Sequence, residues 1–128
     1  MENPHDVVAI NASSAALMIS GIPFEGPIGA VRMAYSQDGE WIPHPTYAEG
    51  NNGTFEIVVA GRELDNGDVA IMMVEAGGTE KSFEFYADGA PKVSEQVIAD
   101  GLETSKKWIK ESIALQRQLA ASVIATRR

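Results

Sequence analysis

The chain has 128 residues, of which 45% are hydrophobic, and this combination is typical of one folded domain rather than of a disordered chain. Its formal net charge of -8 argues against nucleic-acid binding driven mainly by its own electrostatics, so any RNA contact is expected to be local or shared with a partner. The absence of cysteine excludes a disulfide framework and a thiolate zinc site, and without a basic-then-apolar leader a cytoplasmic location is expected.

The first predicted element is a helix that starts near Asp6 and stops at Gly21, with Pro23 and Pro27 preventing it from resuming. It has almost no polar face, and its few polar residues are small enough to lie against neighbouring backbone. We therefore expect a buried core helix that leads through a tight connection into a strand. Its apolar run is too short to span a bilayer.

Two hairpins are predicted next. The first joins residues 28–35 to a short return strand at 40–43 across Asp38-Gly39, and the prolines at 43 and 45 place that return strand at an edge. Residues 46–53 are expected to form a loop. The second hairpin joins residues 54–61 to 69–75 across Asp65-Asn66-Gly67, and its continuous apolar character predicts a covered sheet in which Met72 and Met73 fill the core.

After the second hairpin, Gly77-Gly78 is expected to end the strand, and residues 82–86 alternate like a short extended edge piece. A long amphipathic helix follows, with Ser94 as its N-cap, and continues for some eight turns to about Ile124. It should lie across the sheet, with Trp108 beside the centre of its apolar stripe. The final residues, 125–128, are expected to fray.

Classical catalytic patterns are absent from the sequence. His5 and His44 lie on different elements and lack paired spacing, and His44 is expected to be an exposed loop residue. The glycine-rich run at 21–29 lacks the Lys-Ser/Thr of a phosphate-binding loop. No two carboxylates form an obvious acid and base pair on adjacent strand positions.

Ordered segments of the sequence nevertheless resemble a known family. ASSAALMISGIPFEGPIGAVRM, followed by VVAG and DVAIMMVEA, is similar to polyribonucleotide nucleotidyltransferase (polynucleotide phosphorylase), in the C-terminal half of its first RNase PH-like core domain. GRELDNGD and DGAPKVSEQVIADGLE resemble the actinobacterial branch, whose members have been called guanosine pentaphosphate synthetases. The resemblance covers nearly the whole chain.

The resemblance implies an α+β fold of the ribosomal protein S5 domain 2-like type, with a buried helix, two β-hairpins and a long C-terminal helix. Residues 1–128 would then form a single partial domain of a larger enzyme. Members of the family form trimeric rings that degrade single-stranded RNA from the 3′ end with phosphate and Mg²⁺. The implied partners are the remainder of the parent enzyme, its ring and, through it, RNA, with no membrane. The isolated chain is expected to self-associate.

Only the second of the family's two core domains carries the chemistry, and this chain resembles the first. We call the matching part of the second, catalytic core domain the active half. Where the active half holds phosphate with serine hydroxyls, this chain has Pro4, His5 and Asp6. Where the active half has two metal-binding aspartates and a lysine, this chain has Gly50, Glu56 and Val58. We therefore predict no catalytic residue, no metal ligand and no Mg²⁺ bound by this segment, because hard cations normally need more than one carboxylate or a substrate phosphate.

The predicted function is that of a structural, ring-forming segment of a phosphorolytic 3′ to 5′ exoribonuclease. The alternative is a stand-alone RNA- or guanine-nucleotide-binding module without catalysis, and a generic self-associating domain is a third possibility. Arg32 and Arg62 are the predicted RNA-binding residues. The alternative would add a group of basic residues near the C-terminus, namely Lys106, Lys107, Arg117, Arg127 and Arg128.

Overall fold

The computed structural model describes residues 2–126. In chain order its elements are α1 (His5–Ile19), β1 (Gly29–Tyr35), β2 (Trp41–Pro43), α2 (Tyr47–Asn52), β3 (Phe55–Glu63), β4 (Val69–Gly78), α3 (Ser82–Ala87) and α4 (Glu95–Thr126). The strands form one antiparallel sheet in the order β2-β1-β3-β4. No helix within residues 2–126 is both long enough and apolar enough to cross a membrane.

Both predicted hairpins are confirmed. β1 pairs with β2 from Met33↔Pro43 to Tyr35↔Trp41, and β3 pairs with β4 along its whole length. Gly39 and Gly67 have φ values of 87° and 85° in the two connecting turns, a conformation that a residue with a Cβ rarely adopts. The central pairing of β1 with β3 runs from Gly29↔Gly61 to Tyr35↔Phe55 and joins the two hairpins into one sheet.

The hydrophobic core lies between α4 and one face of the sheet. Its buried residues come from three strands and the helix: Val31, Met33, Ile57, Val59, Val69, Ile109 and Ile113. Gly29 allows the closest approach, because a Cβ at this position would lie 2.7 Å from the Ile109 carbonyl oxygen. The predicted long helix is confirmed, and the Val97 N–H donates to the Ser94 hydroxyl at its start.

Helix α1 lies where the sequence predicts a helix, but the expectation that it is buried is wrong. Ser14 is its only buried residue, and Val8 is 60% exposed. The helix covers α4 and the free edge of β1 with one side, through small polar side chains. Nothing among the described residues covers its opposite side, so the apolar residues there remain exposed.

Four further local predictions are wrong. Residues 47–52 form α2 rather than a loop, because Thr46 and Glu49 make a reciprocal capping box. β4 continues through Gly78, since β3 supplies pairing partners as far as Phe55. Residues 82–87 form α3 rather than an edge strand. Met72 and Met73 are 61% and 40% exposed rather than core filler, because β4 is an edge strand that α4 does not reach fully.

Candidate functional site

The sheet face opposite the core carries a group of three charged side chains, Asp6, Arg32 and Glu56, which we call the Arg32 triad. Arg32 alternates with the core residues Val31 and Met33 on β1, so its side chain lies on the opposite face. Its Nη1 donates to Glu56 Oε2 at 2.8 Å, and its Nη2 donates to Asp6 Oδ2. One guanidinium therefore joins β1 to both β3 and the first turn of α1.

The strand register and a clamp on α1 position this triad. Ala34 pairs with Glu56 and Arg32 pairs with Val58, so Arg32 and Glu56 are diagonal neighbours on one face. Asn11 of α1 binds the Ala30 backbone twice, accepting from its N–H at 2.9 Å and donating to its carbonyl oxygen at 3.0 Å. This clamp holds α1 beside β1 and brings the first turn of the helix to Arg32.

The triad is partly screened from water. The side chains of Arg32, Asp6 and Glu56 are 21%, 43% and 27% exposed. Burial opposes ionisation of Asp6, but hydrogen bonds from the Val7 N–H and the Arg32 guanidinium, with the guanidinium's charge, outweigh it and hold the pKa of Asp6 below its usual value. Arg32 Nε is buried and has no hydrogen-bond partner in the described structure.

Gly50 of α2 lies directly against the Glu56 carboxylate. A Cβ built on Gly50 would lie 2.0 Å from Glu56 Oε1, so any larger residue would force the glutamate to move. Gly50 is itself fixed by the short helix that the Thr46 capping box starts. Two positions that the resemblance assigns to metal ligands in the active half are therefore in contact here, but one has no side chain and the other binds Arg32.

An open cavity of about 200 Å³ adjoins the triad. Two triad residues, Arg32 and Glu56, line this cavity. So does Val58, which stands where the resemblance places a lysine in the active half. The rest of the lining is the end of β4: Glu75, Ala76, Gly77 and Gly78. Two carboxylates and one guanidinium face this space. Within residues 2–126 no group of three His, Cys, Asp or Glu side chains is arranged to hold a metal ion.

The two predicted RNA-binding arginines differ in their surroundings. Arg32 is held between two carboxylates, whereas Arg62 is exposed near the end of β3 and lines a separate cavity of about 200 Å³ with Arg117 and several acidic residues. RNA binding by either residue stays a prediction. Sequence reasoning missed the ion pairs of Arg32, because the signal lies in the register of β1 against β3 rather than in any local motif.

The other basic residues named by the alternative are spread along α4. Lys106 Nζ lies 3.2 Å from Asp68 and 3.0 Å from Glu103, and Arg117 Nη1 lies 2.8 Å from Glu63. Lys107 lies over the Trp108 ring, 4.7 Å from its centroid. His44 is exposed, as predicted, and contacts the same ring edge-on. Arg127 and Arg128 lie outside the described residues.

Several known proteins that are similar to this chain in sequence carry the same name. It is 52% identical over 120 residues to polyribonucleotide nucleotidyltransferase of Acidothermus cellulolyticus, an alignment that covers 94% of this chain and 15% of that protein. Proteins of the same name from Frankia alni and Streptomyces avermitilis are 54% and 50% identical, each over 91% of this chain and 16% of their own length. The chain thus spans about one-sixth of these relatives. No family profile matches it.

Among solved structures, rice (Oryza sativa) Rrp46 is similar in fold. The two superpose with a TM-score of 0.59 at 18% identity, over 98% of this chain and 48% of Rrp46. Identity this low bears on the fold alone. The superposition confirms the predicted RNase PH-like α+β architecture.

Proposed function

We propose that this chain, which matches one segment of the polyribonucleotide nucleotidyltransferases over at least 91% of its length, belongs to that family and is a structural, non-catalytic part of a phosphorolytic 3′ to 5′ exoribonuclease. In this proposal it is the C-terminal half of the first RNase PH-like core domain. It supports a trimeric ring whose other core domain carries the chemistry, and it meets single-stranded RNA only through that assembly.

The single observation that carries this proposal is the contact of Arg32 with both Asp6 and Glu56. A hard divalent cation binds several oxygen ligands and usually more than one carboxylate. Here the guanidinium binds one oxygen of Asp6 and one of Glu56, and its own positive charge repels a second cation. The magnesium ion that the family implies therefore does not fit these residues.

Gly50 supports the same interpretation. The active half is expected to place an aspartate at the corresponding position, but a Cβ there would lie 2.0 Å from Glu56 Oε1 in this chain. A carboxylate at residue 50 would require the Glu56 carboxylate to move from its present position beside Arg32. The position of the Glu56 carboxylate against Gly50 thus favours the arrangement without a metal ligand at residue 50.

The phosphate side of the site also differs from that of the active half. Asp6 occupies the region in which the family resemblance expects serine hydroxyls to hold phosphate. Its pKa lies below the usual value, so it is ionised at neutral pH and would repel a phosphate anion. Arg32 offsets this repulsion less than a free guanidinium would, because Nη1 and Nη2 already donate to Glu56 and Asp6.

An activity assay tests the catalytic part of the proposal. Purified chain is incubated with poly(A), Mg²⁺ and inorganic phosphate, and ADP release is followed beside a Glu56→Gln control. We expect no ADP from either protein. ADP release that disappears in Glu56→Gln would overturn the proposal, whereas equal release from both would identify a contaminating host enzyme.

A chimera tests the structural part. This chain replaces the matching segment of the Streptomyces avermitilis relative, with which it shares 50% identity over 117 residues. We expect the chimera to form the same oligomer as its parent and to keep phosphorolysis, and Glu56→Gln in the grafted segment should leave the rate unchanged. A folded chimera that neither assembles nor degrades RNA would contradict the proposal.

A further inference from the structure

The sequence contains two Asn-Gly pairs, Asn52-Gly53 and Asn66-Gly67, and the structure places them in opposite surroundings. The backbone nitrogen of the residue after an asparagine can attack the side-chain amide carbon and close a succinimide ring. Glycine permits this ring closure best, because it has no Cβ to crowd the attacking nitrogen or to restrict the backbone. Whether each pair reacts therefore depends on how firmly the fold holds its backbone.

Asn66-Gly67 forms the tip of the turn between β3 and β4. Asn66 is exposed, and a Cβ on Gly67 would meet no atom of the described structure within 4 Å. The Asp68 N–H donates to Asn66 Oδ1 at 2.9 Å. This bond polarises the carbonyl group under attack, in the way that backbone donors stabilise a developing oxyanion. The turn hydrogen bond from the Gly67 N–H to the Leu64 carbonyl oxygen, 3.0 Å long, must open before the nitrogen can attack.

The peptide bond of Asn52-Gly53 is held at both of its polar groups. Asn52 ends α2, and its carbonyl oxygen accepts from Gln37 Nε2 at 2.7 Å. The Gly53 N–H donates to the Gly50 carbonyl oxygen at 3.1 Å. Gly53 is buried, and a Cβ on it would lie 2.7 Å from the Tyr35 carbonyl oxygen. Ring closure at Asn52 therefore requires local unfolding of the end of α2.

We propose that Asn66 is a site of spontaneous deamidation, with water as the co-reactant. The Gly67 nitrogen loses its proton to solvent base and bonds to Asn66 Cγ, the Cγ–Nδ2 bond breaks, and Nδ2 leaves as ammonia after protonation. Water then adds to one of the two carbonyl carbons of the succinimide and breaks the bond from that carbon to the ring nitrogen. Opening at Cγ gives aspartate. Opening at the backbone carbonyl carbon gives isoaspartate, in which the main chain runs through Cβ and Cγ.

The isoaspartate product changes the turn that joins β3 to β4. The Leu64 N–H donates to the Asp68 carbonyl oxygen at 2.7 Å and closes this turn, while Asp68 Oδ1 lies 3.2 Å from Lys106 Nζ of α4. Isoaspartate adds one atom to the main chain between Leu64 and Asp68, so the turn can no longer close with the same geometry. The aspartate product keeps the main-chain length and still offers an oxygen acceptor to the Asp68 N–H.

Peptide mapping by mass spectrometry tests the proposal on the purified chain, kept for days in mildly alkaline buffer either folded or in guanidinium chloride. In the denaturant the two Asn-Gly pairs should react at similar rates. In the folded chain Asn66 should react at least about tenfold faster than Asn52, because only Asn52 requires local unfolding of a helix end. An Asn66 that stays intact in the folded chain, or equal rates at the two sites there, would overturn the proposal.

Matched variants provide a second measurement, the release of ammonia. Glutamine closes the corresponding larger ring much more slowly, so Asn66→Gln should remove most of the ammonia released by the folded chain, and Asn52→Gln should leave the release unchanged. Hydrogen exchange measures the turn: the Leu64 N–H should exchange faster in chains with isoaspartate at residue 66 than in Asn66→Asp. Ammonia release that persists in Asn66→Gln would overturn the site, and equal exchange would overturn the effect on the turn.

Discussion

The Ser14 hydroxyl of α1 and the Gln116 amide oxygen of α4 lie 2.5 Å apart in the interior, although 102 positions separate them in the chain. The Gln116 amide nitrogen donates to the Ile28 carbonyl oxygen at 2.9 Å, and the Ile28 N–H donates to Ser14 at 2.8 Å. β2 does not extend to this part of β1, so side chains of the two helices supply the missing hydrogen bonds.

Gln116→Ala should therefore destabilise the fold by about 1 to 3 kcal/mol, because it leaves the buried Ser14 O–H without its acceptor and the Ile28 carbonyl oxygen without the donor from Gln116. Urea unfolding followed by circular dichroism measures the change. Gln118→Ala, at an exposed position on the same helix, is the control and should change stability by less than about 0.5 kcal/mol. Equal effects of the two substitutions would show that the network contributes nothing.

Trp108→Ala should cost about 2 to 3 kcal/mol of stability. The side chain is half-buried and packs against the core, so its loss removes apolar contact and the edge-on contact with His44 but does not open a sealed cavity. The same unfolding measurement applies, with Leu115→Ala, 61% exposed, as the control. A decrease of less than about 1 kcal/mol in the free energy of unfolding would indicate that the side of α4 carrying Trp108 packs against a partner that is absent from this chain.

Gly50→Ala should have opposite effects in two backgrounds. In the wild-type chain the new Cβ displaces the Glu56 carboxylate and weakens its contact with Arg32, and this loss should outweigh any gain in helix stability. In a Glu56→Ala background the clash is gone, and alanine should stabilise α2 by up to about 1 kcal/mol relative to glycine. A double-mutant cycle in urea measures the difference. The same effect in both backgrounds would remove Glu56 as the constraint on residue 50.

The stabilising contribution of Asp6 should depend on pH with a definite sign. Its pKa in the folded chain lies below the ordinary value of 3.8, so the contribution is complete above that value and is lost as pH falls through the folded pKa. The stability difference between wild type and Asp6→Asn should thus shrink as pH falls from about 5 to 2.5. Arg32→Met should reduce this dependence. A difference that grows at low pH would contradict the pairing.

Local patterns predicted most of the fold but few of its charged contacts. The hairpins and α4 follow from Asp-Gly turns, β-branched runs and the spacing of apolar residues, all of which act over short stretches of chain. The exposure of Met72 could not be predicted, because it depends on which strand ends the sheet. The same apolar period describes a buried helix and one with an uncovered side, which is why the prediction for α1 was wrong.

The sequence predicted which residues form the candidate site but not how they contact one another. Resemblance pointed to Asp6, Gly50 and Glu56 as altered members of a catalytic constellation, and the fold does place Gly50 against Glu56. The resemblance gave no indication that Arg32 joins Asp6 to Glu56. That contact depends both on the register of β1 against β3 and on the packing of α1. Long-range register of this kind has no signature in a single sequence.

The central claim is that the Asp6 and Glu56 carboxylates bind the Arg32 guanidinium and therefore do not hold a divalent cation. Electron paramagnetic resonance of Mn²⁺, titrated as a probe for Mg²⁺ into wild type and Glu56→Gln, tests it most directly. We predict that the two proteins bind equally little Mn²⁺, with only the weak, salt-sensitive association that a net charge of -8 produces. A single saturable Mn²⁺ site in the wild type that is lost in Glu56→Gln would contradict the claim.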